Sequence, residues 1–203
     1  MSKGEATRQR IIALAAPLFN QRGYEGCCLQ DIMSATGLEK GGIYRHFDSK
    51  EEIAAEAFDF AWANTVSKRF DKIDIIPNHV DRLKQHIFNF TVRSGMPGGC
   101  PLLNTAVDSD NGNPVLRERV HKALRGWQTR LKKILREGIA VGTVQPDIDI
   151  DKTASLIIGN LEGGMLISRI EKSDQPLRNA LEHLDDYLEN QIRNPATRTS
   201  KKL

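Results

Sequence analysis

GYEGCCLQDIMSATGLEKGGIYRHFDSK, residues 23–50, is the most informative segment of the sequence. Its pattern predicts two short helices joined by a tight turn. The first helix spans residues 29–36, and its apolar positions fall at helical spacing on one face: Leu29, Ile32 and Met33. Gly37 follows as its end, because glycine adopts the left-handed conformation of a helix terminus without a steric penalty.

The second helix is expected from Lys40 to Phe47. Ile43 and Phe47, four positions apart, would pack it on the first helix beside Leu38. The positions left facing outward are basic, polar or without a side chain: Lys40, Gly41, Gly42, Tyr44, Arg45 and His46. In a helix-turn-helix module the second helix lies in the major groove of DNA, and its N-terminal residues meet the base edges. The segment therefore predicts a DNA-reading unit.

The chemistry of the outward positions suits double-stranded DNA. Lys40 brings a point charge to guanine acceptors or to a phosphate, and Arg45 suits either bidentate reading of guanine or a grip on the backbone. Gly41 and Gly42 lower helix propensity, but without side chains they let the backbone approach the DNA closely. These four positions are predicted to contact DNA.

Four further side chains are predicted to support that contact. Tyr44 and His46 are expected at phosphates, with the ring of Tyr44 against the sugar edge. Gln30 projects from the first helix toward a base or the backbone. Lys50, just inside the next helix, is expected at a phosphate.

Helical signals on both sides of the segment extend it into a compact head. An amphipathic helix precedes it, with its apolar residues on one face: Ile11, Leu14, Ala15, Leu18 and Phe19. A capping box, Ser49 with Glu52, opens the helix that follows. Three helices and the start of a fourth predict a DNA-binding domain.

The run from Thr7 to about Thr65 resembles the N-terminal domain of the TetR family of bacterial transcriptional repressors. The matching residues are Ile12 through Tyr24, Asp31-Ile32, Gly37-Leu38, Gly41, Ile43-Tyr44, His46-Phe47 and Ser49-Lys50-Glu51. The sequence departs from the family pattern at Cys27 and Cys28, where Thr or Ser usually stands, and at Glu39, which replaces a frequent Ser. A hydroxyl at position 28 would cap the helix and touch a phosphate, and Cys28 lacks it.

The rest of the chain predicts an all-α fold of about nine helices, without strands or repeats. Beyond the head, helices are expected over residues 50–70, 80–93, 102–108, 114–140, 150–171 and 175–192. The expected organisation is a DNA-binding domain over 5–65 with the helix-turn-helix at about 28–47, a larger C-terminal effector-binding and dimerisation domain over 66–192, and a disordered basic tail over 193–203.

The two C-terminal helices predict a homodimer. The helix over 150–171 is apolar on most sides, which indicates burial on more than one face. Gly159, Gly163 and Gly164 would let another helix come close. One face can pack inside the protomer and another against a second copy, which suits a palindromic operator. The alternative is a central core helix in a monomer.

A regulator needs a switch, and the family resemblance implies a small-molecule pocket in the C-terminal domain. The candidate pocket residues also suit plain core positions: Trp62, Phe88, Met96, Cys100, Trp127, Leu161 and Met165. The loop GGCPLLN around Cys100 resembles that of family members which respond to electrophiles or oxidants. A thiol at a helix N-terminus is more reactive. The alternatives for Cys100 are therefore a sensor and a buried structural cysteine.

Composition and motif spacing bear on the other function classes. The net charge of +3 is modest, so affinity for DNA is expected from geometry and dimerisation. No apolar run suits a membrane span or a signal peptide, which leads us to expect a cytoplasmic protein. The three cysteines do not suggest a disulfide framework.

No catalytic constellation or phosphate-binding loop is recognisable, so we expect no enzyme, no cofactor and no metal. Two classes stay open beside the repressor. One is a metal sensor in which Cys100 converges with His86 or His121, and the other is a constitutive architectural DNA binder.

Overall fold

The computed structural model describes residues 2–91, 96–110 and 112–197. In these ranges the chain forms nine α-helices and no β-strand, which confirms the all-α prediction. The helices are α1 (Lys3–Gly26), α2 (Leu29–Thr36), α3 (Lys40–Ile43), α4 (Lys50–Arg69), α5 (His79–Thr91), α6 (Pro101–Ser109), α7 (Pro114–Ala140), α8 (Ile150–Glu171) and α9 (Gln175–Tyr187), and a π-helical turn over Leu188–Ile192 continues the last. Within the described residues, none of the helices combines the length and the apolar character that crossing a bilayer requires.

Helix starts follow the capping signals of the sequence closely. Asn113 accepts a hydrogen bond from the Leu116 amide at 3.0 Å, so α7 begins at the expected position. Ser49 accepts from the Glu52 amide at 3.0 Å at the start of α4. The carboxylate of Glu52 accepts from the amide of Asp48 rather than that of Ser49, so the capping box is shifted by one residue.

The recognition helix is shorter than the sequence predicts. α3 covers only Lys40–Ile43, and residues 44–46 form a turn in which the His46 amide donates to the Ile43 carbonyl at 2.9 Å. Arg8, from α1, donates to the His46 carbonyl and lies over the buried ring of Phe47, 4.2 Å from its centroid. The predicted helix through Phe47 is therefore wrong, because the His46 amide occupies the Ile43 carbonyl that the Phe47 amide would use in a continuing α-helix.

The described residues divide into two compact units that do not follow chain order. The first unit comprises residues 2–67 together with 96–124, and the second comprises 68–91 together with 125–197. The core of the first unit is built from α1 to α4 and includes Ile11, Ala15, Ile32, Ile43, Phe47, Ile53 and Ala57. The boundary predicted between a DNA-binding domain ending at residue 65 and an effector-binding domain starting at residue 66 stays a prediction.

A buried polar cluster lies in the second unit. The guanidinium of Arg69 lies 4.2 Å from the Phe90 ring centroid and 4.4 Å from that of Trp127, and it pairs with Glu162 at 3.2 Å. The Trp127 indole donates to Nε2 of His86 at 3.1 Å, so the other nitrogen, Nδ1, carries the proton and donates to the Arg69 carbonyl at 3.0 Å. Burial lowers the pKa of His86 to about 3, which keeps the ring neutral.

The chain after α9 is ordered where the sequence predicts disorder. Arg193 is buried, and its guanidinium pairs with Asp81 and, at 2.9 Å, with Glu189. The Asn194 amide donates to the Thr143 carbonyl at 3.1 Å. The prediction of a disordered tail is therefore wrong over residues 193–197, and residues 198–203 lie outside the described residues.

Candidate nucleic-acid interface

The turn between α2 and α3 has the geometry that the sequence predicts. Gly37 adopts φ 70° and ψ 19°, and its amide donates to the Met33 carbonyl at 2.8 Å. The side chains of Ile32 and Ile43 are completely buried in the head. With their apolar faces fixed in this way, the two helices present their remaining faces to solvent.

Most of the residues predicted to read DNA are solvent-exposed on or beside α3. Exposed positions are Gln30, Lys40, Gly41, Tyr44 and Arg45. The ammonium of Lys40 lies 5.9 Å from the ring centroid of Tyr44, a large aromatic side chain that stays 38% exposed. Gly42 and His46 are half-buried. The surface therefore combines cations, an aromatic hydroxyl and bare backbone, which are groups that contact phosphates and base edges.

Lys50 has a structural task that sequence reasoning missed. Its ammonium donates to the carbonyls of Tyr24, at 2.8 Å, and Cys27, at 3.0 Å, and lies 4.1 Å from the Tyr24 ring centroid. Two of its three donors thus hold the segment that leads into α2, and the phosphate contact of Lys50 stays a prediction. No sequence signal could have found this role, because the acceptors are backbone carbonyls.

The start of α2 is stabilised by a capping box between its cap residue, Cys28, and its third residue, Asp31. Cys28 occupies the N-cap, and its amide donates to the carboxylate of Asp31 at 2.9 Å. Arg22 also bonds this carboxylate, at 2.5 Å. The backbone hydrogen bond, the Cys28 thiol and then Arg22 lower the pKa of Asp31 to about 2. Asp31 therefore stays ionised at a helix N-terminus, where a negative charge is favourable.

Arg8 fixes the turn that carries Arg45 and His46. Its guanidinium bonds Glu52 at 2.6 Å, pairs with Glu56 and donates to the carbonyl of His46. The network joins α1 and α4 to the end of the recognition segment. Sequence reasoning did not identify it, because the partners of Arg8 lie 38 to 48 residues away along the chain.

The predicted ligand-binding residues are divided between the two units. Trp62, Met96 and Cys100 belong to the first unit, whereas Phe88, Trp127, Leu161 and Met165 belong to the second. Cys100, Trp127 and Leu161 are buried, and Phe88 is 63% exposed. The proposed pocket stays a prediction. Among the described residues, no three His, Cys, Asp or Glu side chains come together as a metal site would need.

Helix α8 is apolar on two faces. Its inner face packs within the second unit, where a Cβ at Gly164 would lie 2.8 Å from the Cβ of Ala180 on α9. Its outer face exposes large apolar side chains: Leu156, Leu166, Ile167 and Ile170. Gly159 and Gly163 have open space at the Cβ position. These side chains and glycines lie on one side of α8, at helical spacing.

Comparison with known proteins gives the same picture over most of the chain. Residues 11–57 match a family model described as bacterial regulatory proteins of the tetR family. Residues 78–184 match one described as a tetracyclin repressor-like C-terminal domain.

Individual relatives span nearly the whole chain. A crystal structure of a TetR transcriptional regulator from Chloroflexus aurantiacus is 42% identical, covers 96% of this chain and 100% of that one, and has a TM-score of 0.91. The transcriptional repressor DhaR of Mycobacterium sp. is 28% identical over 84% of this chain and 86% of its own. The reduced form of Escherichia coli NemR shares the fold with a TM-score of 0.79, at 23% identity, over 94% of this chain and 99% of that one.

Proposed function

This chain belongs to the TetR family of bacterial transcriptional regulators, and from that premise we propose that it is a homodimeric repressor which a small molecule releases from its operator. The observation that carries the proposal is the exposed surface of Lys40, Tyr44 and Arg45, held by the buried residues Ile43 and Phe47. A rigid support for exposed cations is what a DNA-reading surface requires.

The outer face of α8 supports the homodimer. Its exposed apolar side chains and the open glycines let a second copy approach closely. In a symmetric dimer, two recognition segments would meet successive major grooves about 34–36 Å apart. We therefore propose a palindromic operator.

The coupling proposed here uses α4, which begins in the first unit and ends in the second at Arg69. Arg69 is buried against Phe90, Trp127 and Glu162. A small molecule that changes the packing around Arg69 would displace the last turn of α4. Because α4 begins at Lys50, beside the recognition helix, this displacement would reach the DNA-reading residues. The proposed ligand contacts of the second unit remain those predicted from the sequence: Phe88, Trp127, Leu161 and Met165.

A second candidate function is a repressor switched through Cys100. Cys100 is the N-cap of the nine-residue helix α6 and is buried, after Gly98 and Gly99 with φ of 97° and 95°. An adduct on this thiol would not fit without moving the loop or α6. We expect N-ethylmaleimide to release DNA from the wild-type protein and not from Cys100→Ser if this alternative holds. Equal release from both proteins, or none, would rule it out.

The test of DNA recognition removes one exposed cation from the reading surface. Arg45→Ala is expected to weaken operator binding by about 1–3 kcal/mol and to leave folding unchanged, because the side chain is exposed. Fluorescence anisotropy titrations at fixed salt, on a duplex enriched by the wild-type protein from a random-sequence pool, measure the change. Lys50 is unsuitable for this test, since its ammonium also holds Tyr24 and Cys27.

Lys133→Ala is the matched control, because it removes one cation whose side chain is 72% exposed on α7. It should bind the duplex like the wild type. Wild-type affinity in Arg45→Ala, with an unchanged dependence on salt, would contradict the assigned surface.

A further inference from the structure

Helix α1 contains a break at Gly23, just before the segment that leads into α2. Gly23 adopts φ 75° and ψ 175°, which is not helical. In an uninterrupted helix the amide of Tyr24 would donate to the carbonyl of Asn20, four residues earlier. The break therefore removes this backbone hydrogen bond and leaves a donor and an acceptor to be satisfied elsewhere.

Two side chains of α6 supply the missing partners. The carboxylate of Asp108 accepts from the Tyr24 amide at 2.8 Å, and the amide of Asn104 donates to the Asn20 carbonyl at 2.9 Å. Asn104 and Asp108 are four residues apart and so share one face of α6. Together they replace, from another helix, the hydrogen bond that α1 lacks.

Two glycines leave no room for a side chain at the joint between α1 and α6, where Asn20 and Tyr24 meet Asn104 and Asp108. A Cβ at Gly23 would lie 2.6 Å from Oδ1 of Asp108, and a Cβ at Gly98 would lie 2.8 Å from the Asn20 carbonyl oxygen. The side chain of Asn20 donates to the carbonyls of Pro97, at 2.7 Å, and Gly99, at 3.1 Å. The loop before α6 is therefore fixed to α1 as well.

The joint lies at the end of α1, directly before the two DNA-reading helices α2 and α3. Immediately after the break, the Tyr24 amide is held by Asp108 of α6 and the Tyr24 carbonyl by Lys50 of α4. Lys50 also holds the carbonyl of Cys27, the residue before the N-cap of α2. The segment from Tyr24 to Cys27 is thus held by α6 as well as by α4.

We propose that Asn104 and Asp108 are positioning residues for DNA recognition: by completing the broken turn of α1, they set the orientation in which α2 and α3 meet the operator. A displacement of α6 breaks these hydrogen bonds and reaches the reading surface through α1, in addition to any movement of α4. The extension to effector-driven release rests on the proposed function, whereas the positioning role does not.

The experiment compares Asp108→Ala with Asp108→Asn in the full-length protein. Asp108→Ala removes the acceptor for the Tyr24 amide, and Asp108→Asn retains an oxygen that can accept it. The control, Val107→Ala, alters a neighbouring side chain on α6 that is 74% exposed. The readouts are hydrogen–deuterium exchange at the Tyr24 amide and affinity for the duplex enriched by the wild-type protein.

In Asp108→Ala we expect both exchange at Tyr24 to accelerate and DNA affinity to fall by about tenfold, the equivalent of one hydrogen bond to a charged group. Asp108→Asn should restore both values toward those of the wild type, and Val107→Ala should change neither. Faster exchange with wild-type affinity would show a merely local contact and overturn the proposal. So would unchanged exchange, or a loss of affinity that Asp108→Asn does not restore.

Asp108→Ser provides the same comparison if Asp108→Ala does not fold, because its hydroxyl ends one bond short of the carboxylate oxygens. Failure of the proposed function is a separate result. It would appear as wild-type DNA binding that no small molecule releases, and the comparison between Asp108 variants would still decide the positioning role.

Discussion

Exchanging both Ile167 and Ile170 for glutamate is expected to convert the proposed dimer to a monomer and to lower affinity for a two-half-site operator by about 10²- to 10⁴-fold. Both side chains are exposed on the outer face of α8, at 47% and 72%. Pairing two copies through this face would bury four new carboxylates without partners, which costs more than the apolar contact contributes. Sedimentation equilibrium and DNA titration measure the two effects.

The matched control places the same charges on exposed apolar residues away from α8. Ile75→Glu with Val141→Glu changes two side chains that are 79% and 64% exposed in the second unit. This variant should sediment and bind DNA like the wild type. The α8 variant should still bind a single half-site as the wild-type head does, because its recognition surface is unchanged. A stable dimer in Ile167→Glu with Ile170→Glu would refute the proposed interface.

Replacing Arg69 by methionine is expected to destabilise the protein by about 3–5 kcal/mol, because removal of one member of a buried ion pair leaves the other charge in the interior. The Arg69 and Glu162 side chains are only 5% and 11% exposed, and their atoms meet at 3.2 Å. Arg69→Met also loses the stacking of the guanidinium on Phe90 and Trp127. Urea unfolding followed by circular dichroism at pH 7 measures the free energy of unfolding.

The double variant Arg69→Met with Glu162→Met tests the cause. Because apolar replacement of both members of a buried pair is often nearly neutral, it should recover most of the lost stability. A single variant as stable as the wild type would contradict the assigned pair. A double variant that loses as much stability as the two single changes added together would show that the two charges do not act as a pair.

The parts of the fold and of the site that could be predicted depend on interactions between residues close together in the sequence. The helix end at Gly37 and the helix start at Asn113 each depend on groups within one helical turn. The predicted helix over 150–171 matches α8, and its apolar residues do occupy two faces. The exposed positions of α3 follow from the burial of Ile43, a pattern that also appears in the sequence.

Contacts between distant residues explain what was missed. The turn after the recognition helix is held by Arg8, which lies 38 residues before His46 and bonds its carbonyl. The order at Arg193 depends on Asp81, 112 residues earlier. Partners at such separations leave no periodicity or motif in the sequence.

Local sequence patterns specify the all-α fold, the helix-turn-helix, its outward cations and the apolar character of α8, because helical period, caps and turns act over a few residues. Tertiary contacts, in contrast, bring Lys50 to backbone carbonyls and bring Asn104 and Asp108 to the broken turn at Gly23. These contacts use backbone amides and carbonyls, which do not depend on the type of side chain and therefore leave no signal in the sequence. Folding alone selects which of them a side chain 26 or 84 residues away will meet.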